Sequence, residues 1–222
     1  MSQPALHSLP GQPRAREILE GGISRGQVHH AYLFGGPEGA GKEQAARLFL
    51  QALNCEHAKA GQAGCGSCGE CHRIASFNHP DIHWVMPESE LVTRKLLGRA
   101  EVAGTPSRQI KIDQVRKVMD RLALRPLTAR RKAAVLLGAE TLNVPAQNAL
   151  LKTLEEPPED TTFVLCTASP DSLLPTIRSR LQTYTLRKPG VANLLTVLER
   201  VAGAEGIEST PQALDLVARA AD

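Results

Sequence analysis

Two groups of residues in this chain have types and spacing suited to chemistry. They are the segment Gly36-Pro37-Glu38-Gly39-Ala40-Gly41-Lys42-Glu43 and the cysteines Cys55, Cys65, Cys68 and Cys71. The first follows the phosphate-loop pattern G-x-x-x-x-G-K-[S/T] at every position but the last. In such a loop the glycines let backbone N–H groups wrap a phosphate chain, the lysine reaches the β and γ oxygens, and the hydroxyl holds Mg²⁺. Glu43 puts a carboxylate where the hydroxyl belongs. A carboxylate is able to ligate Mg²⁺, but beside triphosphate oxygens it adds like-charge repulsion, which argues against tight Mg-ATP binding and turnover. The loop therefore reads as inherited from a nucleotide-binding ancestor. Whether ATP or ADP still occupies it stays open, with Gly36, Gly39, Gly41, Lys42 and Glu43 as the candidate contacts.

The cysteines form a C-x9-C-x2-C-x2-C cluster among Gly, Ser and His residues. Two-residue gaps put three thiolates on one tight knuckle, and a fourth from the end of the preceding helix completes a tetrahedral set suited to Zn²⁺. Four thiolates leave no open position, so the site is expected to be structural. Disulfides and an iron–sulfur cluster are the competing readings, the first disfavoured in a reducing compartment. His72 is a substitute ligand only if a cysteine is not used. Cys166, inside the run Phe163-Val164-Leu165-Cys166, reads as a buried core thiol.

These residues need elements to position them. Ala31 to Phe34 is a short apolar run before the glycine loop, and Gln44 to Leu53 carries apolar residues at helical spacing, giving strand, loop, helix. Further strands are expected at Asp81–Met86, Lys132–Leu137, Thr162–Thr167 and Gln182–Leu186, with helices at 109–122 and from Asn143, its N-cap, to just before Pro157-Pro158. The segment 88–108, of mixed charge with two glycines and a Thr-Pro-Ser step, reads as a mobile excursion. Apolar strands alternating with helices imply a parallel α/β sheet with right-handed crossovers. After Lys188-Pro189-Gly190 two amphipathic helices follow with no strand between them, so a small helical domain begins there. The chain stops at Asp222 without a domain-closing segment, as expected for a fragment.

Composition excludes some classes. A formal net charge of +3 over 222 residues is too weak to argue nucleic-acid binding, although Arg125, Arg130, Arg131 and Lys132 make a local basic cluster. No apolar stretch approaches the roughly 20 residues that cross a bilayer. There is no signal-peptide pattern at the N-terminus. A cytoplasmic protein with no membrane partner is expected.

The metal half of a nucleotide site is expected at the end of the third strand, where NTPases place an acidic pair. Here Leu137 and Gly138 stand at those positions, and Glu140, the nearest acid, is expected to face a loop. Two independent magnesium positions are thus altered, which argues against Mg²⁺ and against ATP hydrolysis by this chain.

Four stretches together resemble bacterial clamp-loader subunits of DNA polymerase III over about residues 5–187. They are His30-Ala31-Tyr32-Leu33-Phe34, the four-cysteine insert, Asn148-Ala149-Leu150-Leu151-Lys152-Thr153-Leu154-Glu155-Glu156-Pro157-Pro158 and Thr176-Ile177-Arg178-Ser179-Arg180. His79-Pro80-Asp81 and the missing acidic pair are similar to the delta-prime subunit more than to the gamma/tau ATPase. The resemblance implies an AAA+ P-loop fold with a five-stranded sheet in the order 5-1-4-3-2. It also implies a domain over 1–187 with the cysteine insert at 55–71, the start of a helical lid over 188–222, and a C-terminal collar domain that this chain lacks. It implies a mostly non-hydrolysing member of a ring with gamma/tau and delta that loads the sliding clamp on primed DNA during replication. In the family's Ser-Arg-Cys motif the arginine reaches a neighbour's γ-phosphate, a role that falls on Arg180, with Leu181 in place of the cysteine. Thr167 falls where active relatives sense the γ-phosphate. A gamma/tau-like ATPase and a zinc-containing DNA-binding module using Arg130 and Arg131 are the alternatives.

Overall fold

The computed structural model describes residues 9–58 and 64–220. The start of the resemblance near residue 5, part of the cysteine insert and the last two residues lie outside them. The apolar runs become strands β1 (Ala31–Gly35), β2 (Ile82–Val85), β3 (Lys132–Leu137), β4 (Thr161–Thr167) and β5 (Gln182–Thr185). They form one sheet in the order β2-β3-β4-β1-β5, with every pairing parallel. This is the order that the resemblance implies. β1, β3 and β4 are buried along their whole length because helices cover both faces, and for that reason the middle of each reads as an apolar run without alternation. Alternate residues serve opposite layers. Tyr32 and Phe34 of β1 join Phe49 and Tyr184 on one face, while Ala31 and Leu33 join Leu150, Leu154 and Phe163 on the other.

The chain is poor in aromatic residues, yet Tyr32, Phe34, Phe49 and Tyr184 meet in edge and tilted contacts, with the Tyr32 and Phe49 ring centroids 4.8 Å apart. They anchor helix α2 (Lys42–Asn54), which follows the glycine loop, to β1. Between α1 (Pro13–Ser24) and the sheet, the buried Gln12 donates to the carbonyls of Ala40 and Arg187 and so ties the loop to the chain leaving β5.

The insert after α2 contains α3 (Gly69–Ala75). The segment 88–108, expected as a mobile excursion, carries local secondary structure. It holds α4 (Glu88–Thr93), a 3₁₀ turn over Arg99–Glu101, and a hydrogen bond from Ser107 N–H to Glu88. Two acids in the first turn of α4 complement its N-terminus, and the Glu90–Arg94 pair spans one turn. Next come α5 (Ile112–Leu122) and α6 (Val144–Glu155). Asn143 caps α6 by accepting from Ala146 N–H, and Pro145 lies in its first turn, as expected. The short α7 (Pro175–Arg178) precedes β5. Helices α8 (Val191–Glu205) and α9 (Pro211–Ala220) end the described chain and pack on each other.

His79-Pro80-Asp81 proves to be a structural joint. The Asp81 carboxylate accepts the backbone N–H groups of Leu127, Thr128 and Ala129 at 2.8–3.0 Å, holding the turn that leads into β3. Asp81 N–H donates to His79 Nδ1, and His79 Nε2 meets the Glu70 carboxylate, which also pairs with Arg73. Glu70, His79 and Asp81 are all buried, so α3 of the cysteine insert is locked to the sheet through polar contacts that have no water to replace them. Burial works to raise the carboxyl pKa of Asp81, but the three N–H donors outweigh it and hold the pKa below its ordinary value. A depressed folded-state pKa contributes stability above the unfolded pKa of about 3.9 that is lost as pH falls through the folded value. Asp81→Asn is expected to lower the unfolding free energy at pH 7 by about 2 kcal/mol in urea titrations, with the difference shrinking below pH of about 4.

Candidate functional site

The phosphate loop leaves the end of β1 between two close-packed strands. Gly36 N–H donates to Thr167 O, and a Cβ at Gly36 would lie 2.3 Å from Leu186 O, so no other residue fits this turn. Gly39 and Gly41 have φ values of 77° and 80°, the left-handed conformation that lets the loop curl into α2. Lys42 Nζ donates to the carbonyls of Gly36 and Pro37, 2.7 Å from each, bracing the loop from within.

The metal corner differs from that of an active loop. One oxygen of Glu43 lies 2.9 Å from Arg94 and the other 3.9 Å from Arg47. Arg94 reaches in from the end of α4, where its Nε and Nη2 also donate to Glu90, and both it and Arg47 lie over the Phe77 ring. The Glu43 carboxylate beside it raises the Arg94 pKa further, so the guanidinium stays charged. At the end of β3, Leu137 offers no oxygen, and Gly138 is a left-handed residue opening a 3₁₀ turn. Mg²⁺ needs near-octahedral oxygen ligands. With its carboxylate engaged by two arginines and no acid on β3, this corner does not fit the ion. Burial pushes the Cys166 thiol up, and its Sγ lies 3.6 Å from Lys42 O behind the phosphate loop. Thr167 is fully buried, and its hydroxyl accepts Ser169 N–H, capping the turn after β4.

The four cysteines come together. Their sulfur atoms all lie within 4.8 Å of one another, and those of Cys55 and Cys68 are 3.9 Å apart. A tetrahedron of metal–sulfur bonds of about 2.3 Å has edges of about 3.8 Å, so the set fits one tetrahedral ion. Cys55 caps the end of α2 and Cys68 the start of α3, which is how helix boundaries supply ligands to a loop. Burial pushes up the thiols of Cys55 and Cys71. At Cys65 burial is outweighed by Ser67, His57 and Cys68, which hold the thiol down at about 5. His72 is exposed and outside the cluster. His57 Nδ1, 3.7 Å from Cys65 Sγ, is the imidazole that faces it.

Arg180 lies elsewhere. β1 and β5 run parallel with Tyr32 opposite Gln182 and Gly35 opposite Thr185. The phosphate loop follows Gly35, whereas Arg180 precedes Gln182. About 10 Å of strand separates the two levels at roughly 3.3 Å per residue. The arginine therefore sits at the opposite edge of the sheet from the loop, about a third exposed, with its guanidinium paired to Glu155 and to Thr176 O.

Arg130 and Arg131 do not form a shared basic face. Arg131 turns inward to Thr162 Oγ1 and Thr161 O, while its N–H meets Asn54 Oδ1; Arg130 reaches Glu56 O beside the insert. What the sequence reading missed at the loop is Arg94. Its signal was present as the Glu90–Arg94 spacing, but its partner Glu43 is 51 positions away.

A model of the family "DNA polymerase III, delta subunit" matches residues 11–190. The chain is 34% identical over 212 residues to subunit tau of DNA polymerase III from Escherichia coli, covering 96% of this chain and 30% of tau. It is 36% identical over 192 residues to subunit delta' from Pseudomonas aeruginosa, covering 86% of this chain and 53% of that one. Between the two it spans about a third to a half of these relatives' length. In fold it is similar to a gamma-subunit-related protein of Thermotoga maritima, with a TM-score of 0.51 and 22% identity over 84% of this chain and 52% of that one. The RuvB branch-migration motor of the same organism gives 0.59 and 19% over 98% and 59%.

Metal analysis of the purified chain is expected to return about one tetrahedrally bound ion, and Cys68→Ser to release it with a fall in melting temperature. A full metal content in Cys68→Ser would reject a four-thiolate site.

Proposed function

The chain belongs to the clamp-loader subunits of bacterial DNA polymerase III, and we propose that it acts in such a ring as a delta-prime-like member that does not hydrolyse ATP itself and offers Arg180 to nucleotide held by a neighbour. One observation supports this above all: Arg180 stands at the edge of the sheet opposite to the chain's own loop. An arginine there cannot serve Lys42 of the same molecule. It can serve a site presented by a second subunit, because a guanidinium is always charged and offers a planar fork of donors to phosphoryl oxygens as charge develops.

The loop supports the other half of the proposal. Its glycines and Lys42 keep the phosphate-wrapping shape, so Gly36, Gly39, Gly41, Lys42 and Glu43 remain the contacts for any nucleotide that binds. Glu43 with Arg94 and Arg47 occupies the corner where catalysis needs magnesium, and the end of β3 supplies no acid to orient water. Thr167, spent on the turn after β4, has no γ-phosphate to sense under this proposal. We assign residues up to 187 to the AAA+ domain, with Cys55, Cys65, Cys68 and Cys71 holding a structural Zn²⁺, and residues from 188 onward to the start of the helical lid. Partners under this proposal are gamma/tau and delta in the ring, and the sliding clamp and primed DNA through it. Among the described residues no helix is long and apolar enough to cross a membrane.

In a ring where only the ATPase subunit facing Arg180 keeps its phosphate-loop lysine, Arg180→Ala is expected to leave assembly intact and slow ATP turnover by about 10³-fold. An unchanged rate would reject the trans role. For the loop, a fluorescent ATP titration is expected to give the same affinity with and without Mg²⁺. Steady turnover by the isolated chain that disappears in Lys42→Ala would instead establish a gamma/tau-like ATPase.

A further inference from the structure

Glu155 is the last residue of α6, at the negative end of the helix dipole, and Glu156 follows it. A carboxylate is disfavoured there unless a cation answers it. Arg180 does so: its Nη2 lies 2.8 Å from Glu155 Oε1, while its Nη1 donates to Thr176 O at 2.7 Å. The two contacts come from different elements, the end of α6 and the start of α7, and together they fix the plane of the guanidinium while leaving its other N–H groups unused by either contact. The elements themselves are held in register by the buried Gln147, which donates to Leu142 O and Ser172 O and accepts Leu174 N–H. Around the pair lies a hollow of about 710 Å³ lined also by His29, His30, Ser179 and Gln182, so a partner's atoms have access to the arginine.

We infer that Glu155 is a positioning residue for Arg180, holding its guanidinium oriented toward a neighbouring subunit's nucleotide; the inference rests on the trans role proposed above. The side chains are 35% and 46% exposed, and an ion pair so open to water contributes little to stability. Its effect lies in orientation. An unrestrained arginine must lose rotamer freedom as it meets the transition state, and a guanidinium already clamped at two nitrogens loses less. Glu155 touches neither nucleotide nor water in this scheme and acts only through Arg180.

The test uses the full-length protein in a ring whose only active ATPase subunit faces Arg180. Glu155→Gln is expected to lower kcat roughly 5- to 10-fold, with KM for ATP and the melting temperature unchanged, because the neighbour binds ATP without Arg180. In an Arg180→Ala background the same substitution is expected to have no further effect, and Glu155→Asp to recover part of the loss. An unchanged kcat in Glu155→Gln would overturn the inference, as would a raised kcat, which would mark Glu155 as a latch. An equal loss in the Arg180→Ala background would overturn it too. If Arg180→Ala itself leaves turnover unchanged, the trans role fails, and this inference falls with it.

Discussion

Everything of functional interest in this fold depends on the parallel pairing of β1 between β4 and β5. Parallel neighbours bring all their carboxyl ends to one edge of the sheet and all their amino ends to the other. The phosphate loop, the end of β3 and Thr167 therefore gather at one edge, while Arg180, Glu155 and the His29-His30 pair gather at the opposite one. The backbone approach at Gly36, where Leu186 O leaves no room for a side chain, shows how tightly the first edge is closed. Two chemically different faces follow from one topology.

At the loop edge, Glu43 is answered by Arg94 and, at longer range, by Arg47. Arg94 is brought to Glu43 by α4, and the aromatic face of Phe77 holds both Arg94 and Arg47 close to it. A carboxylate beside phosphates is costly alone; beside two guanidiniums its charge is compensated. The same economy of charge governs the insert, where Glu70, His79, Arg73 and Asp81 connect the cysteine knuckle to the entrance of β2 and to the turn before β3. The insert is thus joined to the sheet by a chain of buried polar contacts in addition to its cysteines.

Much of this was legible in the residues. β1, β3 and β4 were readable because burial on both faces favours apolar side chains without alternation through the middle of each strand, and the cap at Asn143 because its side chain bonds within the next turn. The cysteine cluster was readable because three of its ligands are neighbours in sequence. The helix within 88–108 was not legible because α4 is short and its contacts are distant in sequence: Arg94 finds its partner on α2, and Glu88 accepts Ser107 N–H, 19 positions on. Arg131 looked like half of a basic patch because its spacing says nothing of Thr162, which lies on a strand 31 residues later.

The sequence by itself determined the strand–loop–helix around Lys42, the carboxylate in place of a hydroxyl at position 43, the lack of side-chain oxygens at 137 and 138, and the cysteine set, since each depends on residue type and on neighbours a few positions away. Only the tertiary structure decided what Glu43 pairs with, that Asp81 is a joint, and that Arg180 and Lys42 occupy opposite edges. Those relations join residues dozens of positions apart, and they are set by strand order and helix packing, which local periodicity does not encode.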